Sequence, residues 1–186
     1  MQHDATSTVS ALTPPLQPGE RVSALVTGPH RPPTEVLGFV TDLTPETLTL
    51  IDRRGALHTA SHAEVAALRR VPLARGRRPQ STPRDLLDAL AERAQAPGTP
   101  WVARITDLLA GLTPPATVPP WGPTASFADA DARAEGEWVT VAGGTLASWR
   151  AAAWWATRMG ARSVQVRVPG ACIGDEALTE AGFTRL

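Results

Sequence analysis

The stretch Thr47-Leu48-Thr49-Leu50-Ile51-Asp52-Arg53-Arg54-Gly55-Ala56-Leu57-His58-Thr59-Ala60-Ser61-His62-Ala63-Glu64 decides the fold of the N-terminal third of this chain. Its first six residues alternate between Thr and bulky apolar side chains, which is the period-two pattern of a strand with one buried face. Arg53-Arg54-Gly55 reads as a tight turn, and Ala56–Ala60 as a second short strand. Ser61 and Glu64 have the spacing of a capping box, in which Ser accepts from a backbone N–H and Glu reaches back. They predict one helical turn before the next strand.

Working outward, Arg21–Val26 is a strand ended by Gly28-Pro29, and Glu35–Thr41 is another, with Gly38 in mid-strand where a bulge or tight bend is expected. Thr44-Pro45-Glu46 is a turn. Ala66–Val71 is the last strand of the set. Five short strands with one apolar face each have to close or wrap to hide that face. Residues 18–73 are therefore expected to form a five-stranded SH3-like β-barrel. Residues 1–17, rich in Ser, Thr and Pro and without periodicity, are expected to be a disordered tail.

Residues 74–81 read as an Arg-rich linker leading into the remaining segment, 82–186. Residues 82–112 read as a helical pair. The first helix takes Thr82 as N-cap and Pro83 at its first position, with Leu86, Leu87, Leu90 and Ala94 on one stripe. The second starts at Thr99-Pro100 and carries Val102, Ile105, Leu109 and Leu112. Residues 113–125 form a Pro-rich connector. Residues 126–186 read strand–helix–strand–helix–strand: a strand at 137–141, a helix from Leu146 to Met159, a strand at 163–168, a short helix from Asp175 to Ala181, and a final strand from Phe183. Such a unit implies parallel neighbours joined by a right-handed crossover.

The chain has 186 residues, 42% of them apolar, which suits one domain or two small ones. The 18 cationic residues balance 18 acidic ones, and a neutral balance argues against a dedicated nucleic-acid binder. All the cations are Arg, and the chain lacks Lys, Tyr and Asn. The single Cys172 rules out an intramolecular disulfide and a thiolate zinc site. No signal peptide and no membrane-length apolar run is found, so a cytoplasmic location without membrane association is expected.

Other candidates resolve to ordinary roles. Asp129, Asp131, Glu135 and Glu137 are spaced like a cation loop, but Ala134 stands where such a loop needs Gly, which leaves a solvated hairpin. Glu137 is the one weak candidate for a general base, since activating an amine needs a carboxylate within reach of it. His3, His30, His58 and His62 form no catalytic triad pattern. Cys172 has no basic neighbour to activate it. The Arg residues of 69–78 lack interleaved aromatics and read as a solvated linker. Trp149, Trp154 and Trp155 exceed what one helix side buries, which points to a homodimer or packing surface.

The C-terminal pattern resembles the second half of a GNAT-type N-acetyltransferase. Trp138-Val139-Thr140-Val141 resembles that family's acetyl-CoA strand, with Gly143-Gly144-Thr145 at the pyrophosphate loop. Ala161–Val166 resembles the following strand, and Glu180-Ala181-Gly182-Phe183 the closing Gly-Phe signature. Pro18–Val22, Gly38-Phe39-Val40, Asp52–Gly55 and Arg69–Pro72 look like an SH3-like domain appended to a GNAT domain, as in some high-GC bacteria. The resemblance implies an α+β protein, an SH3-like barrel followed by a small, reduced GNAT-like α/β domain. It also implies acetyl-CoA held by Val139, Val141, Gly143, Gly144 and Thr145, an acyl acceptor that is a small molecule or a protein, and no metal. Leu178 stands where the family has its general-acid Tyr, and the usual pyrophosphate run is missing after Val141; both imply weak or lost catalysis. The alternative is a non-catalytic interaction module, in which the SH3-like part engages a protein or nucleic acid and the C-terminal part is a scaffold or dimer surface. An open splay between 137–141 and 163–168 favours the first reading, and a gap plugged by Trp favours the second.

Overall fold

A computed structural model describes residues 8–9, 12–28, 31–76, 78–93, 97–115, 117–169 and 173–186. The expectations placed on His3, His30, Ala94 and Cys172 lie outside these residues. The chain divides into two compact units: residues 1–72 with 114–117, and residues 73–113 with 118–186.

The N-terminal unit contains β1 (Arg21–Gly28), β2 (Arg31–Leu43), β3 (Thr47–Asp52), β4 (Leu57–Ser61) and β5 (Val65–Arg70). The five expected strands are present, all in antiparallel ladders, in the order β4-β3-β2-β1-β5. The expected helical turn is a 3-10 turn at His62–Glu64, where Ser61 N–H and Oγ both donate to Glu64 Oε2 at 2.8 Å.

The expected closed barrel is not formed. β4 and β5 are the two edges of the sheet, and no ladder joins them. β5 pairs with β1, and side chains rather than a further ladder close the inner face. The apolar inner face is instead covered in part by the segment before β1: Val9 and Leu16, expected to lie in a tail, are buried among Val22, Val40, Leu48 and Val65. Gly38 provides the sharp approach of β2 to β3, because a Cβ there would lie 2.6 Å from the Ile51 carbonyl oxygen. The bulge itself falls further along, between Val40 and Asp42.

The C-terminal unit is a six-stranded sheet in the order β11-β6-β10-β9-β8-β7. Its strands are β6 (Thr99–Arg104), β7 (Thr124–Phe127), β8 (Ala130–Glu135), β9 (Trp138–Gly143), β10 (Ser163–Val168) and β11 (Phe183–Arg185). Its helices are α1 (Arg84–Arg93), α2 (Ile105–Leu108), α3 (Leu146–Thr157) and α4 (Asp175–Glu180). The strand–helix–strand run β9–α3–β10 forms as expected, with β9 and β10 parallel. α3 lays Trp149, Ala152, Ala153, Trp155 and Ala156 on the sheet face formed by Val139, Val141, Val164 and Val166.

The GNAT-like α/β domain is not what this unit is. Across both units together strand accounts for 42% and helix for 23%, and in the C-terminal sheet every ladder except β9–β10 is antiparallel. One local reading changes with it. The expected second helix of the pair is mostly strand: β6 slots between β10 and β11, and only Ile105–Leu108 stays helical. The pattern Trp101-Val102-Ala103 suits either period, and two strand partners decide it in favour of the ladder. The acidic stretch becomes the β7–β8 hairpin, with Asp131 and Glu135 on β8 and Asp129 at the turn. The first helix starts at Arg84, just after Pro83, and its Leu87 is buried.

Candidate functional site

The inner face of the N-terminal sheet carries even-numbered residues: Val22, Ala24 and Val26 on β1, Thr34, Val36 and Val40 on β2, Leu48 and Leu50 on β3, and His58 and Ala60 on β4. This face carries the packed core around Leu16 and Val65. Beside it lies a pocket of about 530 Å³ lined by Ala24, Val26, Thr34, Val36, Leu48, Leu50 and Leu57 through Ala60, and Ala24, Val36, Leu48, Leu50 and Ala60 belong to the core as well. Pockets of roughly 300–1,000 Å³ are typical of small-ligand and side-chain sites. Small side chains at Ala24, Thr34 and Ala60 leave the volume open, and the walls mix aliphatic side chains with Thr34, His58 and Thr59.

The titratable group of the pocket is His58. Its Nε2 lies 3.1 Å from Asp52 Oδ2. Asp52 Oδ1 accepts the N–H groups of Arg54 and Ala56 at 2.8 and 3.0 Å, so one carboxylate ties the β3–β4 turn to the imidazole. The hydrogen bond from His58, followed by these backbone N–H groups, holds the Asp52 carboxyl below the usual carboxylate range against the opposing effect of burial. If the ring keeps its proton on Nε2 for Asp52, Nδ1 is left as an acceptor. Sequence reasoning missed this pair because it tested the four His residues only for a catalytic triad pattern. The two-residue alternation that puts Asp52 and His58 on one face was already legible.

The residues expected to hold acetyl-CoA lie along β9 and at the start of α3. Val139 and Val141 have no exposed surface, and their side chains belong to the core under α3. Their backbone is laddered on both sides, to Ala134 and Ala132 of β8 and to Val164 and Val166 of β10. Gly143 and Gly144 are in the left-handed region, with φ of 71° and 89°. A Cβ at Gly144 would come within 2.6 Å of both Ala130 Cβ and Ser148 Oγ. Trp149 Nε1 donates to the Gly143 carbonyl at 2.7 Å, and the ring packs edge-on against Phe183. Thr145 and Ser148 close the helix N-terminus as a capping box, with Thr145 N–H donating to Ser148 Oγ at 2.7 Å. No gap opens between 137–141 and its neighbour, because β9 and β10 are laddered from Trp138 with Ser163 to Val141 with Val166; Trp149 and Ser148 pack at the turn between β9 and α3.

Glu137 precedes β9, at the end of the strand opposite Gly143, so the structure does not bring the two together. Its carboxylate pairs with Arg162 at 3.0 Å, with both side chains about half exposed. Trp155 Nε1 donates to the Pro120 carbonyl, and Phe127 packs edge-on against the same ring. Trp149 and Trp155 are buried and Trp154 is half-buried, so α3 is not an exposed aromatic surface.

Among the described residues no group of three or more His, Cys, Asp or Glu side chains converges as a metal site, and no helix is long and apolar enough to cross a membrane. No protein-family model, curated protein or solved structure matches the chain.

Proposed function

We propose that this chain is a non-catalytic interaction module, in which the N-terminal unit receives an apolar group in the pocket beside His58 and the C-terminal unit is its scaffold. The observation that carries the reading is the pocket on the inner face, where β1 to β4 supply aliphatic side chains beside Thr34, His58 and Thr59. Burying an aliphatic group of Leu size there is worth about 1.5–3 kcal/mol before ordering costs. The test is titration with the apolar fluorophore 8-anilinonaphthalene-1-sulfonate. Saturable enhancement with the native chain, lost in Thr34→Trp where an indole fills the mouth, is the expected result. No enhancement, or enhancement indifferent to the substitution, removes the basis of the reading.

A second reading keeps acetyl-CoA as ligand of the C-terminal unit, as expected of a protein with weak or lost acetyl transfer. It is favoured by the parallel ladder ending at Val141 and Val166 while both strands run on, to Gly143 and Val168. Crevices at the carboxyl ends of parallel strands are common ligand sites. Calorimetry with millimolar acetyl-CoA decides it: neither heat nor a thermal shift ends this reading.

A further inference from the structure

The pocket opens beside β4, and β4 is an edge. Its ladder with β3 occupies one side of the strand, and among the described residues no strand lies on the other. Natural edges are usually guarded by charge, by Pro or by shortness, because an open row of N–H and C=O groups recruits other strands. The other edges of this protein are guarded. β5 carries Arg69 and Arg70, β7 has 4 residues, and β11 has 3 with Arg185 among them. β4 has the sequence LHTAS, without Pro or a formally charged residue, and its Leu57 is 65% exposed.

A second feature sits at the N-terminal end of β4. Arg53 and Arg54 are exposed at the turn, and among the described residues neither guanidinium has a carboxylate partner. The adjacent carboxylate, Asp52, is occupied by His58 and by the turn's own N–H groups.

We infer that β4 and the pocket together receive an extended peptide segment, apolar at every second position and acidic at its C-terminal end. This rests on the reading of the pocket as a ligand site. Each ladder of this sheet is antiparallel, and an added antiparallel strand places its C-terminal end beside the start of β4, next to Arg53 and Arg54. Main-chain hydrogen bonds to β4 supply the affinity shared by all sequences. The pocket selects the alternate side chains, which point to one face of a strand, and the two guanidiniums select the acidic end.

The test uses the full chain and a fluorescein-labelled octapeptide, Thr-Leu-Thr-Val-Thr-Leu-Asp-Asp, read by fluorescence anisotropy. Two further peptides carry N-methyl groups on the odd or on the even backbone amides. One set faces β4 and the other faces solvent, so one methylated peptide binds about tenfold or more weakly and the other binds as the parent. Replacing both Asp by Asn weakens binding several-fold at low salt, and Arg53→Gln with Arg54→Gln abolishes that difference. If the naphthalene fluorophore binds but the peptide does not, or if both methylated peptides bind as the parent, strand addition is overturned and the pocket reading stands. If neither probe binds, both fall. A concentration-dependent dimer that excludes the peptide shows β4 pairing with a second copy and also overturns the inference.

Discussion

Asp52 joins a turn, a strand end and a pocket. Its two oxygens accept from Arg54, Ala56 and His58, and these hydrogen bonds lower its carboxyl pKa in the folded state. A carboxyl with a depressed folded pKa contributes stability that is present above its unfolded value, near 3.9, and is lost as pH falls through the folded value. The pair with His58 lies at the surface, so the contribution is modest. Chemical denaturation of the native chain and Asp52→Asn between pH 7 and pH 2 checks this. The native chain loses its advantage only below about pH 4, whereas a difference between the two that is constant with pH refutes the assignment. At the same scale, Gly144 holds a left-handed backbone against Ala130 and Ser148. Gly144→Ala is expected to cost about 1–3 kcal/mol, read by urea unfolding of the C-terminal unit. The glycine pair was legible as a turn. Its filling by Trp149 was not, because no sequence spacing fixes which rotamer an indole takes or which carbonyl it meets.

At the scale of elements, local chemistry and tertiary pairing compete, and each wins in a different place. Ser61 and Glu64 specify their turn by side-chain hydrogen bonds within four residues, and the structure keeps it. Ser61→Ala removes one of these, and capping substitutions cost about 0.5–2 kcal/mol; far-UV circular dichroism melts should show the loss in the N-terminal unit. An unchanged melt would mean that the backbone N–H bond to Glu64 alone holds the turn. Thr99–Arg104 went the other way. Thr99-Pro100 reads as a helix start, yet β10 and β11 flank the segment as strand partners, and neither lies within 50 residues of it in sequence. Short-range patterns cannot carry that information. The failed closure of the N-terminal barrel has the same origin, since whether β4 and β5 meet depends on the path of the whole sheet and on Leu16 and Val9 filling its inner face.

At the scale of the whole molecule, the two units have separate apolar cores, one around Val22, Val40, Leu48 and Val65, the other around α3 and the six-stranded sheet. All 6 Trp residues, Trp101, Trp121, Trp138, Trp149, Trp154 and Trp155, belong to the second unit. Tryptophan emission therefore reports on the C-terminal unit, while far-UV circular dichroism reports on both. Leu48 is 1% exposed at the centre of the N-terminal core, and Leu48→Ala is expected to cost about 2–5 kcal/mol there through lost burial and the cavity left behind. If each core unfolds as its own cooperative unit, the substitution moves the dichroism transition of the N-terminal unit to lower urea and leaves the tryptophan transition in place. Trp149→Phe gives the reciprocal result, lowering the tryptophan-detected midpoint by removing the bond to the Gly143 carbonyl. A common shift of both transitions by Leu48→Ala would show instead that the cores unfold together. The Thr34→Trp phenotype in the pocket would then have to be checked for a global loss of stability before it is assigned to binding.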